Sequence, residues 1–252
     1  MGQDRPVSLY KDLDQGCLSL DSSFNFHCHE GLACFNRCCR TPTIILSPYD
    51  LLRLKQGLTI TSGELLQRYT RQEIEGQSGL PLVFVEAFRS GASGCPFVGA
   101  KGCLVYAQRP AACRLFPITM GSQLTEQGVV DYYFCRRLTY CRGFAGEAEW
   151  TVASWRAGQG FDQYDLERRP WLEILLRQGL QGPAGVDARI QDLFATLAYD
   201  LDELRRRLAE PGFLPDDALE GEALEELKTD DLALLRFAYR GLKAVLFREE
   251  ES

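Results

Sequence analysis

The stretch from Phe26 to Arg40 constrains this chain more than any other part of its sequence. It reads Phe-His-Cys-His-Glu-Gly-Leu-Ala-Cys-Phe-Asn-Arg-Cys-Cys-Arg and holds four of the ten cysteines and both histidines. Four thiols this close in a largely irregular segment either form disulfides with distant cysteines or bind a metal ion or an iron–sulfur cluster. The rest of the sequence has to decide between these two outcomes.

The expected compartment favours metal ligands over disulfides. Met1 to Tyr10 contain no apolar core of a secretory signal, and no stretch approaches the ~20 apolar residues of a transmembrane helix. These features predict a cytoplasmic protein without a membrane partner, in a compartment where thiols stay reduced. A chain of 252 residues is also long enough to fold around a hydrophobic core without disulfides.

The net charge of −7 is divided unevenly along the chain. Residues 28–142 carry 13 Lys and Arg against 8 Asp and Glu, whereas residues 143–252 carry 13 against 23. Basic residues follow the cysteines directly at Arg40, Arg114, Arg136 and Arg142, where guanidinium groups can offset the negative charge of thiolates on a metal. No basic run with interleaved aromatic residues occurs, so we expect no nucleic-acid partner. A protein partner for the acidic part stays open.

The cysteines fall into two groups. Cys28, Cys34, Cys38 and Cys39 form the pattern C-x5-C-x3-C-C, and Cys95, Cys103 and Cys113 form C-x7-C-x9-C, followed by Cys135 and Cys141. Eight of them can make two four-thiolate sites, or one site with spare thiols. Neighbouring side chains of an extended segment point to opposite sides, so Cys38 and Cys39 would serve two centres, or one would be a core thiol. Cys17 stands alone and is expected to be a small hydrophobic side chain.

The spacing leaves the metal open between iron and zinc. Structural zinc sites usually use paired C-x2–4-C segments, and this chain has no C-x2-C. The closely spaced three-cysteine run of a ferredoxin is absent as well. Cysteines that converge from distant loops favour an iron–sulfur cluster or iron, with zinc as the alternative. His27 and His29 could each replace a thiolate, since imidazole binds both metals, or lie beside the site without binding.

Local patterns predict an α+β fold. Ser47 and Thr61 are expected to cap helices that run to about Gln56 and Arg71, and residues 81–88 form the best strand candidate. A hairpin with a long turn is expected from strands at 118–120 and 129–134.

From Gly146 onward the pattern is helical. A short helix at 171–176 is followed by two apolar stripes of helical period, from Ile190 to Leu208 and from Leu232 to Leu246. Pro211, Pro215 and Gly221 mark the connection between them. We therefore expect a loop-rich cysteine-cluster domain over residues 1–145 and a helical region over residues 146–252 that packs on it and carries no ligands.

The cysteine-bearing half resembles a known family in its motifs. The first cysteine group is followed by Ile-Leu-Ser-x-x-Asp-Leu-x-Arg-Leu (45–54). Later motifs are Cys-Pro-Phe (95–97), Gly-Cys-Leu-Val-Tyr (102–106), Arg-Pro-Ala-Ala-Cys-Arg-Leu-Phe-Pro (109–117) and Cys-Arg-Gly (141–143). Together they resemble the YkgJ-type cysteine-cluster family, which is described as a zinc- or iron-chelating domain. The resemblance covers roughly residues 26–145 and implies metal chelation.

Two departures from the family pattern matter. The family's first group is tighter, C-x2-C-x2-C-C, and Arg142 replaces its proline. The wider spacing is similar to that of flagellin lysine-N-methylases, which are linked to an iron–sulfur cluster, and this implies a cluster-dependent enzyme, such as a protein-lysine N-methyltransferase, as an alternative. No glycine-rich strand-to-helix turn that would cradle a nucleotide-like cofactor is present. We expect Cys34, Cys38, Cys39, Cys95, Cys103 and Cys113 to surround one metal region, with Cys28 and Cys141 as further ligands.

Overall fold

Short strands and helices alternate in the first part of the chain and give way to helices in the second. The computed structural model describes residues 16–40, 42–87, 94–208, 210, 213 and 224–247. Within these residues only helices follow residue 151, so the α+β prediction is confirmed. Pro211, Pro215, Gly221 and Phe88 lie outside the described residues.

The strands form four small antiparallel sheets. β1 pairs with β9, β4 lies between β2 and β3, β5 pairs with β6, and β7 pairs with β8. Their bounds are β1 Ser23–Asn25, β2 Ile45–Leu46, β3 Thr70–Ile74, β4 Pro81–Val85, β5 Val98–Gly99, β6 Gly102–Cys103, β7 Ile118–Thr125, β8 Gly128–Cys135 and β9 Glu149–Thr151.

The helices are short before residue 152 and longer after it. Their bounds are α1 Pro48–Leu58, α2 Ser62–Tyr69, α3 Ala111–Leu115, α4 Val152–Gly158, α5 Phe161–Gln181, α6 Ala188–Tyr199, α7 Leu201–Arg207, α8 Leu224–Thr229 and α9 Asp231–Leu246. Single 3-10 turns occur at Arg37–Cys39, Tyr106–Gln108 and Gly143–Ala145.

The helix starts that the sequence predicted are confirmed, whereas two helix ends are not. Ser47 and Thr61 each accept a hydrogen bond from the backbone N–H three residues on, and the acidic side chain there bonds back to the cap. α1 continues past Gly57, however, and ends at Thr59 in a left-handed conformation. α2 stops at Tyr69 because the next residues pair with β4 as a strand.

Two further elements are longer than predicted. Strands β7 and β8 stay paired as far as Thr125 and Gly128, so the long turn expected between them is a two-residue turn. α5 runs for 21 residues and includes Pro170, where a shorter helix was expected. The first apolar stripe is divided at Asp200, which ends α6 and caps α7 with its side chain.

One cluster of buried side chains reaches into both halves of the chain. Leu52 of α1 and Val83 of β4 belong to it, as do Ile174 of α5, Phe194 of α6 and Leu235 of α9. The long helices α5, α6 and α9 thus pack against α1, α3 and the β2–β4 sheet. These smaller elements in turn position the cysteine loops. Among the described helices, none has both the length and the apolar character needed to cross a membrane.

Candidate metal centre

Cys38 and Cys39 lie in a 3-10 turn, and their sulfur atoms are neighbours. Asn36, with a left-handed φ of 60°, precedes the turn, and the Cys39 N–H donates to the Asn36 carbonyl oxygen at 3.1 Å. The segment is therefore not extended, and the opposite orientation expected for the two side chains is wrong. A 3-10 turn rotates successive side chains by only about 120°. The two Sγ atoms are accordingly 3.9 Å apart.

A close backbone contact joins the two cysteine groups. The Cys95 N–H donates to the Cys39 carbonyl oxygen at 2.7 Å. Gly94 makes this approach possible, since its φ is +115° and an added Cβ would lie 3.2 Å from the Arg40 Cα and 3.3 Å from the Cys39 carbonyl oxygen. The second group therefore begins directly against the end of the first.

Backbone N–H groups point at several of the sulfurs. The Phe97 N–H donates to the Cys95 thiol, the Val105 N–H to Cys103 and the Gly143 N–H to Cys141, in each case from two residues on. Such N–H groups stabilise the thiolate that binds a metal. Each of these turns contains a single cysteine, so the absence of C-x2-C pairs from the sequence gave no indication of them. Cys-Pro-Phe and Cys-Arg-Gly were the signals that could have revealed two of them.

The start of the first cysteine group is joined to the last cysteine. The His27 N–H donates to the Gly143 carbonyl oxygen at 2.8 Å, and the Phe26 ring fills the space where a side chain at Gly143 would project. The Arg142 N–H donates to the Cys34 Sγ at 3.2 Å, and the Cys141 thiol is hydrogen-bonded to Cys34 as well. Cys28, Cys34 and Cys141 are thereby held in one place.

Asp50 holds the segment that carries Cys113. Its Oδ1 accepts the Ala111 N–H at 2.7 Å at the start of α3, while its Oδ2 accepts the Ser47 N–H at 2.9 Å and the Ser47 Oγ–H at 2.7 Å. The carboxyl group is buried, and burial raises its pKa against these hydrogen bonds. From its sequence position, Asp50 is expected only to lie near the positive N-terminal end of α1. The capping box uses one carboxylate oxygen of Asp50, Oδ2. The other oxygen, Oδ1, accepts the Ala111 N–H, and this bond was not predicted from the sequence.

The pKa values of the thiols report which of them are neighbours. Partial desolvation of the thiol raises the pKa of Cys28 to about 11 although the residue as a whole is exposed, with further contributions from Cys38, Cys141 and Cys34. Burial also raises the pKa of Cys113, with contributions from Cys95, Asp50 and Cys103 among others. The thiol hydrogen bond between Cys38 and Cys39 lowers the pKa of Cys38 and raises that of Cys39. Each of the eight predicted ligands thus influences the pKa of another member of the set, has its own pKa shifted by one, or is hydrogen-bonded to one, and their binding of a metal stays a prediction: Cys28, Cys34, Cys38, Cys39, Cys95, Cys103, Cys113 and Cys141.

The arginines divide into structural ones and ones that act on the thiols. Arg114 was expected beside thiolates, but it is buried and donates to the Ala107, Arg109 and Gln159 carbonyl oxygens and to the Tyr164 hydroxyl. Its side chain fixes loops instead of offsetting thiolate charge. Arg136 contributes to the lowered pKa of Cys38, and Arg109 opposes the raised pKa of Cys103.

The remaining cysteines and the two histidine rings differ in their surroundings. Cys135 is buried in strand β8 opposite Ile118 and belongs to the hydrophobic core. Cys17 is exposed and not the buried hydrophobe that we expected, and its thiol lies 3.8 Å from the Leu18 carbonyl oxygen. The His27 and His29 rings are exposed and 4.9 Å apart, and the His29 Nδ1 accepts the Gly31 N–H at 3.2 Å.

The donor chemistry of the network fits a thiophilic metal. Seven of the eight thiols are half-buried and Cys28 is exposed, so the site is accessible from one side. Several sulfurs already accept backbone N–H groups, which suits zinc or iron bound by thiolates. In the described part of the chain no three Cys, His, Asp or Glu side chains stand in a finished coordination geometry.

Comparison with known proteins agrees with this chemistry. Residues 27–141 match the family model CxxCxxCC, "Putative zinc- or iron-chelating domain". No curated protein and no solved structure matches the chain. The resemblance to flagellin lysine-N-methylases has no match to support it and stays a prediction. The matched segment contains all eight candidate ligand cysteines, from Cys28 to Cys141, so this part of the chain is similar to that family.

Proposed function

We propose that this chain binds zinc or iron through the thiolates of Cys28, Cys34, Cys38, Cys39, Cys95, Cys103, Cys113 and Cys141. One observation carries the proposal: these thiols come from segments up to more than a hundred residues apart, yet each lies close enough to others of the set for a pKa to be affected or a hydrogen bond to form. Closing such long loops costs chain entropy, and a metal–thiolate centre offsets this cost because its binding is coupled to folding.

The state of the thiols supports the same proposal. Most resolved thiol pKa values are raised by burial and by neighbouring sulfurs, so the apo form keeps these groups protonated at neutral pH. A thiophilic cation replaces the protons and removes the repulsion between adjacent thiolates. Four backbone N–H groups at Cys34, Cys95, Cys103 and Cys141 then donate to metal-bound sulfur.

Experiment distinguishes three forms of the same thiolate chemistry: an iron–sulfur cluster, thiolate-bound iron and thiolate-bound zinc. The absence of C-x2-C favoured an iron–sulfur cluster, but the single-cysteine N–H turns provide the geometry that such pairs provide elsewhere. Elemental analysis of anaerobically purified protein, with its visible spectrum, separates the forms. A coloured protein with iron and sulfide identifies a cluster, iron without sulfide identifies thiolate-bound iron, and a colourless protein with stoichiometric zinc identifies zinc.

The enzyme alternative, a cluster-dependent protein-lysine N-methyltransferase, rests on the cysteine spacing alone. A cleft of about 530 Å³ is lined by residues that include Leu18, Asp131, Tyr133 and Arg156, and no cysteine lines it. Its charged groups are engaged in ion pairs with one another and with Asp165. No observation among the described residues connects this cleft with the thiols, so metal binding is the function that we propose.

The test compares two ligand variants with a control variant. Cys39→Ser and Cys113→Ser are expected to lower the metal content per chain and the melting temperature, since each removes a thiol from the network. Cys17→Ser changes an exposed thiol away from the network and is expected to alter neither quantity. Full metal occupancy together with an unchanged melt in both ligand variants would return these thiols to the hydrophobic core and refute the proposal.

A further inference from the structure

The eight thiols divide into two sets that meet at the Cys38–Cys39 pair. The Cys34 sulfur accepts the Arg142 N–H at 3.2 Å and is hydrogen-bonded to the Cys141 thiol, and Cys28 lies close enough to Cys38, Cys141 and Cys34 to be affected by their charge. Cys39 has Cys113 and Cys95 as neighbours besides Cys38. We infer that the chain holds two metal centres: an outer one bound by Cys28, Cys34, Cys38 and Cys141, and an inner one bound by Cys39, Cys95, Cys103 and Cys113. This inference rests on the proposed function.

Backbone contacts build each set separately. In the outer set, the hydrogen bond from the Arg142 N–H to the Cys34 Sγ joins the first cysteine loop to the turn after Cys141, and the bond from His27 to Gly143 adds Cys28. These links involve none of the segments that carry Cys95, Cys103 or Cys113.

In the inner set, the Cys95 N–H donates to the Cys39 carbonyl oxygen, and the β5–β6 hairpin carries Cys103 back towards Cys95 through the pairing of Val98 with Cys103. Asp50 holds Ala111, two residues before Cys113. The inner set is therefore connected to α1 and the hydrophobic core, whereas the outer set is connected to the loop around Gly143.

Cys38 is the junction between the two sets. Its sulfur is 3.9 Å from that of Cys39, and it is also a neighbour of Cys28 and Cys141 in the outer set and of Cys95 and Cys113 in the inner set. The two adjacent thiols therefore lie where the sets meet, and the rotation of about 120° between successive side chains of a 3-10 turn does not force both onto one ion. Counting Cys38 with the outer set gives four thiolates to each centre, the number of a closed tetrahedral site.

Charge and exposure distinguish the two centres. Four thiolates on a divalent ion carry a net charge of −2, and each set has a nearby guanidinium group, Arg136 at Cys38 and Arg109 at Cys103. The outer set includes the exposed Cys28, whereas the inner set includes Cys113, a neighbour of the buried Asp50. We expect the outer ion to exchange with the solution faster than the inner ion.

Titration of the reduced, metal-free full-length chain with Co²⁺ tests this inference. Thiolate-to-cobalt absorption reports each ion as it binds, and far-UV circular dichroism checks the fold. The wild type is expected to bind two Co²⁺ ions per chain. Cys34→Ser and Cys103→Ser form a matched pair, since each removes one half-buried thiol that accepts one backbone N–H group. Cys34→Ser and Cys103→Ser are each expected to keep one tightly bound ion and about half of the absorption. Cys17→Ser is expected to keep both ions.

Chelator kinetics on the wild type give a second measurement that needs no variant to fold. Two phases of metal loss are expected, and the faster one should be absent in Cys34→Ser. The two-centre inference is overturned if the wild type binds one ion per chain and both Cys34→Ser and Cys103→Ser lose it, or if the wild type loses its metal in a single phase. Either result leaves the proposed metal binding intact. If the chain instead holds a single iron–sulfur cluster, and Cys34→Ser and Cys103→Ser each lose it, the two-centre inference is likewise overturned. A wild-type chain that binds no Co²⁺, zinc or iron overturns the proposed function itself.

Discussion

The cysteine-bearing half and the helical half of this chain are held together by different kinds of contact. Between Cys28 and Arg142 the described strands have at most eight residues, and loops meet through single long-range bonds such as those from Cys95 to Cys39 and from Arg142 to Cys34. After residue 152, helices of 21, 12 and 16 residues dominate, and α6 and α9 begin at caps supplied by Asp187 and Asp230.

The helical half also contains a buried charge network. Asp165 of α5 accepts hydrogen bonds from the Arg156, Arg168 and Arg169 guanidinium groups at 2.7–3.0 Å, and Arg169 also binds Asp131 of β8. The helical half thus combines local helix caps and ion pairs with packing between helices distant in sequence, such as α6 against α9. The cysteine half depends on closing long loops, a step that metal binding favours. The two halves share one buried core.

Metal removal is expected to have the largest effect and to test whether the halves unfold together. Structural thiolate–metal sites contribute many kcal/mol to folding, so chelation under reducing conditions should lower the melting temperature by about 10 °C or more. Because the core is shared, circular dichroism of the helices and tryptophan fluorescence should report a single transition. A separate transition of the helices, or a stable proteolytic fragment of residues 146–252, would contradict the prediction that the chain is one cooperative body.

Asp165→Asn is expected to weaken the helical half without affecting the metal. Burial alone would raise the pKa of Asp165, but Arg168, Arg169 and Arg156 outweigh it and hold the pKa below its ordinary value. Loss of this buried charge should destabilise the chain by about 3 kcal/mol, measured by urea unfolding. Asp162→Asn, which changes a more exposed carboxylate paired with Arg156, is the matched control and should have little effect.

The pH dependence of this difference has a definite sign. A carboxyl group with a lowered folded-state pKa stabilises the protein above its unfolded pKa, and this contribution disappears as the pH falls through the folded pKa. The gap between wild type and Asp165→Asn should therefore be constant near neutral pH and narrow below about pH 4. A reduced metal content in Asp165→Asn would show that the helical half and the cysteine-bearing half are coupled more strongly than we expect.

Asp50→Ala is expected to have the smallest effect on stability, and it tests how the helices position the thiols. The change leaves the buried Ala111 and Ser47 N–H groups without their acceptor, at a cost of about 2 kcal/mol. Since Ala111 leads into the Cys113 segment, metal affinity should fall about tenfold. Glu64→Ala removes the equivalent side chain from the exposed capping box of α2 and should keep full affinity. Equal affinities in the two variants would reduce Asp50 to a helix cap.

The sequence was sufficient for features that depend on neighbouring residues. The caps at Ser47 and Thr61 were predictable because a capping box joins residues three apart, and α9 was predictable from its apolar stripe. Helix ends were less certain: α2 stops at Tyr69 because β4 offers hydrogen bonds to the next residues, and β4 is distant in sequence. The length of α5 was missed because Pro170 normally ends a helix.

The candidate site shows the same division between features that neighbouring residues determine and features that depend on distant parts of the chain. Residue type and motif determined which eight cysteines are candidate ligands, because thiolates bind zinc and iron and the motifs around these cysteines resemble a metal-chelating family. Which thiols are neighbours, which arginines reach them and why Asp50 matters were decided by the tertiary structure. These depend on bonds between segments 40 or more residues apart, such as those joining Asp50 to Ala111, Cys95 to Cys39 and Arg142 to Cys34. Such contacts form only when the shared core brings the loops together, and no local spacing encodes them.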